Sequence, residues 1–296
     1  MAWFFVVLGL VTLLLAGDFL VRAAVNLALR LGISALVVSL TVVAFGTSAP
    51  ELLIVLSAMA DDAPGLAMGN IVGSNTANIL LVLGLPALVA GLYTTGFDTK
   101  KAFISMILAT VLFITLAFVG PFSWWHGGLM LAVLAAILLD QAWTARRVSR
   151  VAVATEDLNG VDTSMPGWKI TLYLLFGLVG LPLGAKVLVV NAEIIAREFG
   201  VPETAIGLTL IAVGTSLPEL ATTTVAAIRR QADVALGNVI GSNMFNLLAI
   251  IGIAALVGPI PVADEFLRFD LWVMLAASFL LIPFVFFGRN ITRIWG

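Results

Sequence analysis

The chain has 296 residues, of which 61% are hydrophobic and 11% are charged, and its formal net charge is −2. Soluble domains carry about 25% charged residues, so this composition predicts an all-α polytopic membrane protein. The sequence has no cysteine, which excludes disulfides and thiolate metal sites. It also has no basic patch and no Gly-rich loop with a Lys. We therefore expect no nucleic-acid partner, no ATP-driven transport, no cofactor and no enzymatic activity, and no obligate protein partner is evident.

Apolar runs predict nine membrane-spanning helices. In chain order they are expected at about residues 3–21, 33–59, 66–91, 102–119, 125–143, 168–190, 201–227, 233–258 and 269–287. No basic residue precedes the first run, so we interpret it as a helix and not as a signal peptide. The polar residues 144–167 predict a linker between two halves of the chain.

The two halves repeat each other at an offset of 168 residues. Gly-Thr-Ser-Ala-Pro-Glu at 46–51 returns as Gly-Thr-Ser-Leu-Pro-Glu at 214–219, and Gly-Ser-Asn-Thr-Ala-Asn at 73–78 returns as Gly-Ser-Asn-Met-Phe-Asn at 241–246. A fixed order of polar residues within apolar helices indicates an internal duplication. Because each unit contains an odd number of spans, two copies in tandem have opposite orientations. This inverted-topology plan is typical of secondary transporters.

The duplication also predicts the domain boundaries. Residues 1–143 form the first repeat of five transmembrane helices, residues 144–167 form a cytoplasmic linker, and residues 168–296 form the second, inverted repeat. The second repeat has four predicted spans. We therefore expect that it is truncated before its fifth helix and that the tenth helix is missing from this sequence.

The distribution of basic residues predicts the orientation. With the N-terminus outside, 12 of the 15 Lys and Arg residues fall on the inner side, and only Lys186, Arg197 and Arg268 fall on the outer side. This is a strong positive-inside bias. It predicts an integral protein of a cell membrane, either plasma or inner. Asp18 and its repeat equivalent Lys186 are expected near span ends, in a helix-end or snorkelling role.

Two carboxylates are predicted in the middle of the membrane. A charged side chain there costs at least ~2.5–3.5 kcal/mol on insertion scales, so its presence indicates a function. Glu51 and Glu219 each follow a proline, Pro50 and Pro218. Since proline has no N–H, the helix should break at these positions and leave carbonyl oxygens free beside the carboxylates.

Helical spacing predicts which polar groups join these carboxylates. Ser48 lies three residues before Glu51, and Ser74 lies four residues before Asn78, so each pair shares a helix face. The second repeat contributes the equivalent set, namely Ser216, Glu219, Ser242 and Asn246. An all-oxygen site with two carboxylates suits a hard cation such as Ca²⁺. The glycine pairs Gly69/Gly73 and Gly237/Gly241 should let helices approach closely.

At these residues the sequence resembles the cation/calcium exchanger superfamily, and specifically its sodium/calcium exchanger branch. The resemblance covers nearly the whole chain and implies ten helices in two inverted repeats. It also implies a set of ion ligands, comprising Ser48, Glu51, Ser74, Asn78, Ser216, Glu219, Ser242, Asn246 and the carbonyls of Ala44, Thr47, Ala212 and Thr215. One departure is that exchangers of this kind often carry Asp at position 246, where this chain has Asn.

The function expected from these observations is secondary active antiport of Ca²⁺ against Na⁺ by alternating access, within a lipid bilayer. Two alternatives remain open. Ca²⁺/H⁺ exchange would protonate the two glutamates in place of binding sodium. A cation channel is less favoured, because channels usually build their filters from symmetric oligomers.

Overall fold

The computed structural model describes residues 1–93, 99–148, 165–201 and 212–296, without the side chains of 145–148 and 212–213. The described residues are helical and include no strand, only two isolated bridges between loop residues. The helices are α1 (Ala2–Leu31), α2 (Ala35–Thr47), α3 (Ala49–Ala60), α4 (Pro64–Ala90), α5 (Lys100–Val119), α6 (Trp124–Val148), α7 (Gly167–Glu198), α8 (Ala212–Thr215), α9 (Leu217–Ile228), α10 (Ala232–Val257) and α11 (Phe266–Phe286).

These helices match eight of the nine predicted spans in full and the seventh in part. Seven are long and apolar enough to cross a membrane, and α2 with α3 forms an eighth, bent span. The pair α8–α9 corresponds to the seventh predicted span, whose first part at 202–211 lies outside the described residues. The predicted ends of the first and sixth spans are wrong, because α1 has 30 residues and α7 has 32. Both helices continue beyond their apolar stretches into segments that contain charged residues.

The predicted linker is described only at its two ends. Helix α6 continues to Val148, five residues into the predicted linker, and α7 begins at Gly167. Residues 149–164 lie outside the described residues. The position of the linker relative to the membrane stays a prediction.

The long helices α1 and α7 form an antiparallel pair held close by glycine. A methyl group at Gly9 would lie 2.7 Å from the backbone nitrogen of Leu188, and one at Gly184 would lie 3.0 Å from that of Leu13. Further along, Gly177 faces the Cβ of Leu20 in the same way, at 2.7 Å. Because no side chain separates the two backbones at these points, the pair packs as one unit.

Helix α10 is the most enclosed span, with 89% of its central window buried. Two of its glycines lie against α2. A methyl group at Gly237 would lie 2.8 Å from the carbonyl oxygen of Leu36, and one at Gly241 would lie 2.6 Å from that of Leu40. The close approach predicted for this glycine pair is confirmed.

The equivalent glycines of the first repeat behave differently. Nothing lies within 4 Å of a methyl group placed on Gly73, and only a ring atom of Phe266 lies near Gly69, at 3.9 Å. The close packing predicted for this pair is wrong, because α4 borders an open groove against α11 there. The two repeats therefore share a sequence motif but not the same packing.

This difference gives a matched test of packing. Gly241→Ala should destabilise the protein by about 1–3 kcal/mol, because the backbone of α2 leaves no room for the methyl group. Gly73→Ala should be neutral or slightly stabilising, since alanine favours helix and the space is empty. The measurement is the thermal unfolding midpoint of each purified variant in detergent. Equal midpoints for the two variants would contradict the packing described here.

Candidate cation-binding site

The predicted breaks in the two motif helices are present. Helices α2 and α3 meet at an angle of 41°, and the residue between them, Ser48, has φ −82° and ψ 5°. Pro50 follows in the first turn of α3. In the second repeat Ser216 separates α8 from α9 with φ −86° and ψ 3°, and Pro218 follows. The same backbone break thus occurs twice, and it places the N-terminal turn of each following helix next to a glutamate.

The two helices that carry the asparagines also depart from regular α-helix. A π-helical turn covers Asn78–Val82 in α4 and another covers Phe245–Ile250 in α10. Such widened turns are rare and occur frequently at functional sites. Two further π-helical turns cover Ser39–Val43 in α2 and Phe266–Asp270 in α11. The turns at Asn78 and Phe245 are the ones that recur at the 168-residue offset to within one residue. No feature of the sequence had indicated these turns.

Glu51 and Glu219 are both fully buried. The hydroxyls of Ser48 and Ser242 each donate to Oε1 of Glu219, at 3.3 Å. Neither oxygen of Glu51 has a hydrogen-bond partner, nor does Oε2 of Glu219. In the described part of the chain neither carboxylate forms an ion pair with a basic side chain.

Thr47 supports this arrangement from the end of α2. Its hydroxyl lies 3.4 Å from that of Ser242 and donates to Oδ1 of Asn238 at 3.2 Å. The same hydroxyl lies 3.3 Å from the carbonyl oxygen of Ala44, which accepts the N–H of Ser48 at 3.0 Å. A hydroxyl has one proton to donate, so the carbonyl of Ala44 keeps one lone pair when Thr47 donates to Asn238.

Four asparagines form a two-fold clasp between α4 and α10. The side-chain nitrogen of Asn75 donates to the backbone carbonyl of Asn243, and that of Asn243 donates to the backbone carbonyl of Asn75, both at 3.2 Å. In addition Asn78 donates to Oδ1 of Asn243, and Asn246 donates to Oδ1 of Asn75, both at 3.0 Å.

The clasp fixes which way each amide points. A backbone carbonyl can only accept a hydrogen bond, so the atoms of Asn75 and Asn243 that face it must be nitrogen. Their oxygens then require donors, which are the side-chain nitrogens of Asn78 and Asn246. The carbonyl oxygens of Asn78 and Asn246 are consequently directed away from the clasp, and both are buried without a partner.

Among the described residues, six buried oxygen atoms thus lack a hydrogen-bond partner. They are Oε1 and Oε2 of Glu51, Oε2 of Glu219, Oγ of Ser216 and the Oδ1 atoms of Asn78 and Asn246. Leaving a buried polar atom unpaired costs about 1–3 kcal/mol. All six belong to residues that the sequence had singled out, and together they offer the oxygen number and charge that a hard divalent cation requires.

The remaining predicted residues are also buried. Ser74 is 3% exposed, Thr215 is 6% exposed and Ser242 is fully buried, while the side chain of Ala212 is not described. Within the described residues, no three His, Cys, Asp or Glu side chains lie close enough together to hold a metal ion. The candidate site therefore consists of two carboxylates and neutral oxygens.

Neither Asn75 nor Asn243 was among the predicted ion ligands, and the contact between Thr47 and Asn238 was not predicted. In the clasp Asn75 and Asn243 orient the amides of Asn246 and Asn78. Their signal in the sequence was their repetition at the 168-residue offset.

Comparison with known proteins shows the family of the chain. A family model described as sodium/calcium exchanger protein matches residues 1–143 and 169–296. The chain belongs to the sodium/calcium exchanger family. It is a membrane-spanning exchanger with inverted repeats, and exchangers of this family transport Ca²⁺ and Na⁺.

The similarity extends over almost the full length of individual relatives. The chain is 36% identical over 283 residues to the putative antiporter CaxA of Alkalimonas amylolytica, covering 95% of this chain and 88% of the relative. It is 34% identical over 320 residues to the sodium/calcium exchanger MaX1 of Methanosarcina acetivorans, covering 97% and 91%. The solved structure of the sodium-calcium exchanger NCX_Mj, soaked with Na⁺ and Sr²⁺, superposes with a TM-score of 0.83 at 30% identity, covering 99% of this chain and 93% of that one.

The clasp makes a prediction about affinity. Asn75→Ala removes the acceptor that orients the amide of Asn246, so the apparent affinity for Ca²⁺ should fall by about 10-fold, as for other groups that orient a metal ligand. Asn70→Ala is the matched control, because this asparagine lies on the same helix and its side-chain nitrogen has no partner. The measurement is equilibrium Ca²⁺ binding to the purified protein in detergent without Na⁺. The same loss in both variants would show that the clasp does not orient a ligand.

Proposed function

We propose that this exchanger moves Ca²⁺ out of the cell against inward movement of Na⁺, and that both ions compete for the site between Glu51 and Glu219. The observation that supports this most directly is the set of six unpartnered oxygens around two carboxylates. One Ca²⁺ or two Na⁺ ions neutralise a charge of −2. Since an empty, doubly negative site is costly to carry through a dry barrier, exchange is favoured over leak.

The proposed ligands follow from the sequence and from the burial of each side chain. They are Ser48, Glu51, Ser74 and Asn78 of the first repeat, and Ser216, Glu219, Ser242 and Asn246 of the second. The backbone carbonyls of Ala44, Thr47, Ala212 and Thr215 are proposed as further ligands, because they belong to the helical turns that directly precede the two breaks.

The rival mechanism is Ca²⁺/H⁺ exchange, in which protons neutralise the two glutamates. The site geometry favours sodium, because protonation would satisfy the carboxylates but would leave the oxygens of Asn78, Asn246 and Ser216 without partners. Sodium ions accept electron pairs from neutral oxygens as well as from carboxylates. This argument applies to all three neutral groups at once.

The deciding experiment is ⁴⁵Ca²⁺ uptake into proteoliposomes, with the Na⁺ gradient, the pH gradient and the membrane potential varied separately. Glu51→Gln and Glu219→Gln should each reduce uptake to background, because each removes one of the two charges. Asp264→Asn, at a side chain that is 81% exposed, is the control and should transport normally. Uptake driven by the pH gradient alone would contradict sodium coupling, and near-normal flux in either glutamine variant would contradict the site.

The proposed orientation places the N-terminus and the Asp61–Asp62 turn outside the cell and the 144–167 linker in the cytoplasm. The two units flanking the linker are then repeats at 1–143 and 168–296 with opposite orientations. In this arrangement the basic residues are concentrated on the cytoplasmic side, as the positive-inside rule requires.

Because the chain has no cysteine, single cysteines can report this orientation. A membrane-impermeant maleimide added to intact cells should label Asp62→Cys and should not label a cysteine in the linker, for example Ser164→Cys. Permeabilised cells supply the control, in which both positions react. Labelling of the linker position in intact cells would show that the orientation is the opposite of the one proposed.

The amide at position 246 leads to a prediction about stoichiometry. An amide adds no charge, so a third Na⁺ would leave the site with a net charge of +1. Two unit charges 4 Å apart interact by about 4 kcal/mol at an effective dielectric constant of ~20. The third ion lacks an attraction of that order, because no third carboxylate is present. We expect weaker coupling to a third Na⁺ than in relatives with Asp there.

Asn246→Asp should therefore raise the number of Na⁺ ions coupled to each Ca²⁺. It should also lower stability by about 1–3 kcal/mol, because a carboxylate cannot donate to Asn75. The measurement is the zero-flux potential for Ca²⁺ in proteoliposomes at several fixed Na⁺ gradients. Wild-type coupling of three Na⁺ per Ca²⁺, unchanged by the substitution, would show that this amide does not set the charge count.

A further inference from the structure

An ion pair connects α1 to the end of α9, far along the chain from the ion ligands. One oxygen of Asp18 accepts a hydrogen bond from Arg22 of the same helix, at 2.9 Å. The other contacts the guanidinium of Arg229, the residue at which α9 ends. The sequence-based assignment of Asp18 to a helix-end or snorkelling role is wrong, because this residue lies within α1 and is paired.

The repeat relates this ion pair to a second pair of charged residues, in which the acid and the base have exchanged places. At the 168-residue offset Asp18 corresponds to Lys186 of α7, and Arg229 corresponds to Asp61. The backbone of the two helix ends is the same. The N–H of Asp61 donates to the carbonyl of Ser57 at 2.9 Å, and the N–H of Arg229 donates to that of Val225 at 2.9 Å. The residue after each has positive φ, 54° at Asp62 and 57° at Arg230.

The second acid and base are apart in this structure. Within the described residues neither Lys186 nor Asp61 forms an ion pair, and both are exposed. The Asp18–Arg229 pair is therefore made while its repeat equivalent is not.

The helix faces next to these residues show the same difference. Helix α1 covers α9, where Ala221 and Val225 are each 7% exposed. The equivalent residues of α3 are uncovered, since Leu53 is 66% exposed and Ser57 is also exposed. Helix α1 thus packs on α9, beside a groove lined by Asp18, Val225 and Arg229, on the inner side in the proposed orientation. Helix α7 leaves the matching face of α3 uncovered on the outer side.

We propose that Lys186 and Asp61 form an outer ion pair that closes the outer side when the Asp18–Arg229 pair opens the inner side. In a transporter built from inverted repeats, the opposite-facing state arises when the two repeats exchange conformations. That exchange brings α7 onto α3 as α1 now lies on α9. Lys186 then meets Asp61 at the position where Asp18 now meets Arg229.

The exchanged signs follow from two requirements. The positive-inside rule places Arg229 and Arg230 at the inner end of α9, and their equivalents Asp61 and Asp62 at the outer end of α3. The α1–α7 pair must then present an acid inside and a base outside in order to be complementary. Duplication alone would have produced the same sign at both positions, so the reversal indicates that complementarity was kept at both ends.

Cysteine labelling can measure the balance between the two states. Val225→Cys reports whether α1 covers α9, and its repeat equivalent Ser57→Cys reports whether α7 covers α3. Both replacements are close in size to the native residue, and neither residue is among the proposed ion ligands. Labelling by a thiol-reactive maleimide is followed in detergent, where both sides are accessible, at a fixed Na⁺ concentration.

Neutralising the outer pair should favour the state seen here. Lys186→Gln and Asp61→Asn should each slow the labelling of Val225→Cys by about two- to five-fold, the range for one exposed ion pair. The double variant should show no further slowing, because the two residues act through one interaction. Asp18→Asn should change the rate in the opposite direction, and Lys186→Arg should leave it unchanged.

Additive effects of Lys186→Gln and Asp61→Asn, or no effect of either, would overturn the proposal. No effect would instead mean that Lys186 only reaches toward lipid headgroups. The proposal rests on the exchange function only in requiring two opposite-facing states. Because labelling is read without an ion gradient, it does not depend on whether Na⁺ or H⁺ drives transport, and a failure of sodium coupling would leave this result intact.

Discussion

The structure depends on two carboxylates that are buried in the membrane. Within the described residues no basic side chain pairs with them, so their charge must be neutralised in another way. Three of the four oxygens of Glu51 and Glu219 have no hydrogen-bond partner among the described residues. Two such carboxylates are unfavourable as buried anions unless a cation or protons neutralise them. In the proposed function, the helix breaks, the serine hydroxyls and the asparagine clasp hold oxygen atoms around the bound cation.

The helix breaks and the asparagine clasp are close to symmetric, while the hydrogen bonds of the two glutamates and the surrounding helices are not. The breaks at Ser48 and Ser216 have nearly the same backbone angles, and the four asparagines exchange equivalent hydrogen bonds across α4 and α10. By contrast, α1 covers α9 whereas the matching face of α3 is exposed. A symmetric backbone framework between asymmetric surroundings is the arrangement expected for alternating access in a transporter of inverted repeats.

Much of this could be predicted from the sequence because lipid restricts the choice of residues so strongly. In an apolar span, each Gly, Pro, Glu or Asn stands out, and a second copy at a fixed offset shows that it was retained for a reason. The nine spans, the breaks before Pro50 and Pro218 and the burial of both glutamates all followed from that constraint.

What the sequence could not predict depends on three-dimensional contacts. The π-helical turns at Asn78 and Asn246 have no local signature. The roles of Asn75 and Asn243 depend on two helices crossing at one point. The different surroundings of Gly73 and Gly241 come from the conformational state, since identical motifs are packed in one repeat and open in the other. The predicted ends of α1 and α7 were too early for a different reason. Ion pairs such as Asp18–Arg229 allow a helix to continue through charged residues, and such pairs cannot be seen in the sequence.

The central claim is that one site, formed by these unpartnered oxygens, holds either Ca²⁺ or sodium ions. Equilibrium ⁴⁵Ca²⁺ binding to the purified protein, titrated with Na⁺ at constant pH and ionic strength, tests this most directly. The account predicts one Ca²⁺ per chain, displaced by Na⁺ with a dependence steeper than first order. Calcium that is displaced only by lowering the pH, and not by Na⁺, would contradict it.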